Sequence, residues 1–99
     1  MSMETTKSIA ESLLAGGDFD GWRLPQGWTA ESADTLPNCI MIGNDEAWRV
    51  WVTVDLSGRS FGNGYNRPRH VRGETERFSG RGWRLKLMEA AEKQLRSIG

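Results

Sequence analysis

The chain has 99 residues, 37% apolar and 26% charged, which leaves room for one domain and excludes a disordered tail. Its longest apolar run, Cys39-Ile40-Met41-Ile42, is far short of the ~20 residues of a membrane helix. One cysteine cannot staple its own chain, and that excludes an intrachain disulfide framework.

The net charge of zero is the sum of two unlike halves. Residues 1–47 hold eight acids against Lys7 and Arg23, and residues 48–99 hold eleven bases against five acids. Almost all the basic excess lies in Arg59–Lys86, where seven of the eight bases are arginine. Arginine favours bidentate contact with phosphate or carboxylate, so the imbalance points to an anionic partner. The competing reading is that the two halves neutralise each other across one folded domain.

Met1 to Lys7 carry no basic stretch leading into an apolar run, so a cytoplasmic protein without a signal peptide is expected. Glu4 to Ala15 reads as a short helix, with Ile9, Leu13 and Leu14 at helical spacing and Gly16-Gly17 ending it. Gly21 to Pro25 reads as a connector, and Trp28 to Ser32 as a first strand. Asn38–Ile42 is a short apolar strand, followed by turn residues Gly43 to Glu46. From Trp48 to Leu56 the alternation is strict. Trp48, Val50, Val52, Val54 and Leu56 face one way, while Arg49, Trp51, Thr53 and Asp55 face the other, as in a half-buried antiparallel strand.

Ser57-Gly58 turns the chain, Arg59 to Phe61 starts a return strand, and Asn63-Gly64 signals a tight hairpin. Asn66 to Gly73 contains Pro68 and four bases counting His70, so a mobile basic loop is expected there. Glu74 to Phe78 reads as the last strand. Gly82 to Ile98 is an amphipathic helix with Trp83, Leu87, Met88, Ala91, Leu95 and Ile98 on one face, capped at Ser79 or Gly80. The sum is a single α+β domain: helix, three- to four-stranded antiparallel sheet, helix, with both helices on one sheet face.

Catalytic chemistry is thinly supplied. Cys39 reads as a small core residue, and His70 lies among arginines with no nearby carboxylate to orient it. Two Cys or His residues fall short of a structural zinc set. Asp18 and Asp20 begin like a calcium loop, but no terminal Glu completes it. Gly62-Asn63-Gly64 and Gly80-Arg81-Gly82 are half-fingerprints that open no βαβ unit. No catalytic residue, metal or cofactor is therefore expected, and the protein reads as a non-enzyme.

Binding is better supplied. Arg81, Arg84 and Lys86 fall in the opening turns of the last helix, where the dipole favours anions. Arg59, Arg67, Arg69, Arg72 and Arg77 complete the basic set. Trp48 and Trp83 read as core, whereas Trp51 and Tyr65 are candidate anchors beside arginine. Trp22 and Trp28 read as closing the edges of a small core.

The α-β-β-β-α order, with glycine and bases opening the last helix and Ala90-Ala91 following, resembles the double-stranded RNA-binding domain. The resemblance implies phosphate contact by Arg81, Arg84 and Lys86. The family's lysine run and Pro-x-Tyr strand signature are missing, and Glu4 and Glu11 stand in the first helix. A second likeness, carried by Val52 to Leu56, Phe61-Gly62 and Gly80 to Trp83, is to small phage and prophage proteins, among which some anti-CRISPR proteins are similar in shape. It implies a binding protein that engages a host protein or protein–nucleic-acid complex. The alternative is a nucleic-acid binder using Arg59–Lys86, and a small enzyme is a distant third.

Overall fold

In the computed structural model, which describes residues 5–33, 38–63 and 78–98, the first helix, α1, is Thr6–Leu14. Thr5 starts it with a reciprocal cap. Its Oγ1 accepts from Ser8 N at 3.1 Å while its own N–H donates to Ser8 Oγ at 3.0 Å, satisfying two of the orphan donors at the helix start. At the other end Gly16, at φ +91°, sends its N–H to Leu13 O at 3.1 Å, and Gly17 N–H reaches Ser12 O at 2.8 Å. This paired closure needs a left-handed residue, which glycine adopts without a Cβ penalty. Ile9, Ala10 and Leu13 are buried, but Leu14 is 55% exposed. A further 100° step carries Leu14 off the stripe that Ile9 and Leu13 define.

The segment read as a connector is a small β-ribbon. β1 (Asp18–Phe19) pairs antiparallel with β2 (Trp22–Arg23), closed by Asp20 at φ 50° and Gly21 at φ 94°. Two successive positive φ values are the signature of the tight hairpin turn that Asp-Gly favours. Gly21 N–H donates to Asp18 Oδ2 at 2.8 Å, so these acids build a turn rather than the start of a cation loop. The ribbon delivers Phe19 and Trp22 into the core.

β3 (Thr29–Ser32), β4 (Cys39–Gly43), β5 (Trp51–Asp55) and β6 (Ser60–Asn63) form an antiparallel meander in that order. Register sets the core face: Ala30 opposes Ile42, which opposes Val52, and Ile40 opposes Val54, which opposes Phe61. Ile9, Ala10 and Leu13 of α1 cover this face over β3 and β4. The last helix, α2 (Trp83–Ile98), covers it over β5 and β6 with Leu87, Met88, Ala91 and Leu95. Both helices thus lie on one face of an α+β sheet, as expected.

Several details differ from the sequence expectation. The central strand begins at Trp51, not Trp48, because Trp48 takes φ 55° and breaks the alternation. Asp45 organises the bend before it: Oδ1 accepts from Ala47 N at 3.0 Å, and Oδ2 accepts from Arg49 Nε at 2.8 Å. Burial opposes ionisation of Asp45, but the hydrogen bonds and charge of Arg49, with the Ala47 N–H, outweigh it and hold the carboxyl below its ordinary value. Trp48 consequently lies outside the valine core, against Gly43.

The strand is also not half-buried, since Thr53 and Asp55 on its second face are 0% and 4% exposed. Lastly, Ile98 is 40% exposed, and Gly82 rather than Ser79 or Gly80 flanks α2, its carbonyl accepting from Lys86 N at 3.2 Å.

The expected Asn66–Gly73 loop, Gly64 of the hairpin signal and residues 74–77 of the last expected strand lie outside the described residues. Phe78 is described, as a buried turn residue.

Candidate functional site

Arginine and aromatic rings meet at the corner where α2 starts. Arg59 sits in the turn between β5 and β6, at φ 53°, which aims its side chain back across the sheet end. Its Nη1 donates to Phe78 O at 3.2 Å, and its guanidinium lies 4.4 Å from the Trp83 ring centroid. Arg84, one residue along α2, lies 5.4 Å from the same ring and 5.7 Å from Phe19. Its Nη1 is 3.6 Å from Asp20 Oδ2, with both side chains about half exposed. The β1–β2 ribbon therefore carries an acid and an aromatic to the helix start. At this exposure the ion pair is worth ~0–1 kcal/mol, and each guanidinium–ring contact contributes about as much. A guanidinium stacked through its plane keeps its edge N–H donors available for a partner.

The expected basic set divides. Arg59 and Arg84 are brought together around Trp83, and exposed Arg81 lies in the turn leading into α2. Lys86 is exposed as well, but residues two apart on a helix do not share a face, so it stands away from Arg84. Trp51 lies elsewhere. It opens β5, and about 13 Å of strand separates it from Asp55 at the end nearer Arg59. Arg67, Arg69, Arg72, Arg77, Tyr65 and His70 lie outside the described residues. Cys39 is buried in β4, on the sheet face away from the helices with Asp55 and Ser60.

A second concave surface was not foreseen in the sequence. On the sheet face away from the helices, Glu31, Met41, Ala47, Trp48 and Trp51 line a cavity of about 360 Å³. Glu31 opposes Met41 in the ladder, and Trp51 opposes Gly43. The two indoles stand at 84° with centroids 6.5 Å apart. Gly43 makes this possible, because a Cβ there would lie 2.8 Å from Trp48 Cε3 and 3.1 Å from Thr29 Cγ2. Gly43→Ala is therefore expected to displace Trp48 and cost about 1–3 kcal/mol. Chemical denaturation, read together with the near-ultraviolet circular dichroism of the indole pair, checks it.

Among the described residues no three His, Cys, Asp or Glu side chains gather as a metal would require, and no helix is long and apolar enough to cross a membrane. Comparison with protein families, curated proteins and solved structures finds no match to this chain. What fold and surface together define is an α+β helix–sheet–helix domain with an arginine–aromatic corner at the start of its second helix.

Proposed function

We propose that the chain is a non-enzymatic binding protein that contacts a protein, or the protein part of a protein–nucleic-acid complex, through the corner formed by Arg59, Arg81, Trp83 and Arg84. The observation that carries this reading is the placement of Asp20 within 3.6 Å of Arg84. A carboxylate inside the basic corner repels an incoming phosphate but leaves room for the mixed charges of a protein surface. Arg59 is likewise committed to Trp83 and Phe78. Arginine and tryptophan are also the side chains that most often anchor protein interfaces. In the form suggested by the phage likeness, the partner is part of a host defence complex and binding blocks one of its working surfaces.

The test sets this reading against direct nucleic-acid binding. Duplex RNA and duplex DNA are titrated at two salt concentrations with the wild-type chain and with the Arg81→Ala/Arg84→Ala/Lys86→Ala variant. Weak binding with little difference between the two proteins is expected. Tight binding, with a logarithmic salt slope that falls by about 0.7–1 for each base removed, would establish a phosphate clamp instead.

A further inference from the structure

The arginines of the α2 corner differ from those that carry their own acid four residues back. Arg49 reaches Asp45 through Nε and Nη2, each 2.8 Å from Oδ2, and Arg96 donates through Nε to Glu92 Oε2 at 3.0 Å. Around Arg59, Arg81 and Arg84, Asp20 is the one acid among the described residues within 4 Å of a guanidinium. Its Oδ2 stands 3.6 Å from Arg84 Nη1, an ion pair too long to be a hydrogen bond. Each guanidinium carries five N–H donors, and among the described residues only Arg59 Nη1 has an acceptor, the Phe78 carbonyl. Trp83 supports Arg59 and Arg84. Arg81 stands exposed between Gly80 and Gly82, where an added Cβ would meet nothing within 4 Å. The corner thus combines an excess of positive charge with unfilled donors in open space.

We infer that the corner takes the carboxylates of an acidic segment of a partner protein, and that Asp20 sets this preference over phosphate. The inference rests on reading the chain as a protein-binding module. Arg81 and the unused edge of Arg84 receive the carboxylate oxygens, while Arg59 holds Trp83 in place behind them. Three positive charges against one select an anion. Asp20 then discriminates among anions, because it repels each charge that comes to Arg84. A protein segment brings its charge on side-chain stems that can turn away from Asp20, along a neutral backbone. A nucleic-acid strand carries a charge on its backbone at every nucleotide, and its bases would have to displace the guanidiniums to stack on Trp83. Asp20 takes φ 50° before Gly21, a turn position that Asn serves as well as Asp, so its charge can be removed with the turn intact.

The probe is an acetylated and amidated tetraglutamate peptide, titrated into the full chain at low salt. The Trp83 indole N–H and the Arg84 Nε–H resonances are followed by NMR, with Trp83→Phe and Arg84→Lys assigning them. The comparators are the matching tetraglutamine peptide, which keeps the shape without the charge, and pentathymidylate, which carries the same charge on phosphodiesters. The glutamate peptide is expected to move both resonances saturably, the glutamine peptide to leave them in place, and pentathymidylate to bind about threefold or more weakly. Arg81→Ala and Arg84→Ala should each weaken the glutamate peptide about two- to fivefold, whereas Arg49→Ala, an equal loss of charge before β5, should not. Asp20→Asn should tighten pentathymidylate about two- to fivefold and the glutamate peptide less, narrowing the gap between them. Equal binding of the two peptides, the lack of a saturable shift, an equal loss in Arg49→Ala or an unchanged gap in Asp20→Asn would each overturn the proposal and leave the protein-binding reading standing. Pentathymidylate binding more tightly than the glutamate peptide to the wild-type chain would overturn that reading as well.

Discussion

Val52→Asp is expected to unfold the chain or leave it barely folded at room temperature. Val52 is 0% exposed, stands between Ile42 and Asn63 in the ladder, and belongs to the cluster shared by both helices. A carboxylate there has no partner in an apolar surround, so it must ionise at great cost or take up a proton. Either way, a loss above ~4 kcal/mol follows from putting an unpaired carboxyl, charged or forced neutral, in place of packed methyls. A domain of this size holds only about 5–15 kcal/mol in all, so the variant should show a collapsed thermal transition by circular dichroism. A melting curve close to wild type would mean that Val52 does not face the helices.

Asp55→Ala is expected to be the most damaging loss of a polar side chain, at about 2–4 kcal/mol. Asp55 is 4% exposed, and its Oδ1 accepts from Ser57 N at 3.0 Å, Ser57 Oγ at 2.8 Å and Gly58 N at 3.1 Å. Alanine leaves these donors of the β5–β6 turn without their acceptor in a part-buried setting, and a hydrogen bond left unmade there costs more than a made one contributes. The same turn carries Arg59, so loosening it also releases the guanidinium from Trp83. Urea titration with an unchanged slope should report the loss as a shift in midpoint alone. Asp55→Asn, which keeps the acceptor oxygen, should recover much of it. If the alanine variant matched wild type, the turn would not depend on this carboxylate.

The two helices and the β4–β5 pair were legible in the sequence because their signals are local. Sixteen residues of α2 repeat the helical period often enough to mark one face, and the glycine pair past α1 supplies its stop. The β1–β2 ribbon was missed although Asp20-Gly21 announces it, since strands of two residues are too short to show alternation. Trp48 was misplaced for a different reason. Side-chain alternation says nothing of backbone φ, and one residue in the left-handed region redirects everything before it. Asp55 and Thr53 were assigned to a solvated face because alternation distinguishes two sides of a strand but does not say that either is wet.

The site was legible only as an inventory. Charge counting located the arginines in the second half and the acids in the first, and helix periodicity placed Trp83 and Arg84 at the start of α2. By itself the sequence determined the two helices, the strands of the β3–β6 meander, most of the face they turn to the core and the division of charge, since each depends on neighbours within a few residues. Which arginine meets which ring or acid was decided by the tertiary structure alone. Trp22 donates to Glu92 seventy residues away, Arg84 meets Asp20 across the ribbon, and Trp48 closes over Gly43 beside Trp51. Such pairings depend on strand register, turn conformation and where a helix lands on the sheet. Those are properties of the packed core, which no local period encodes.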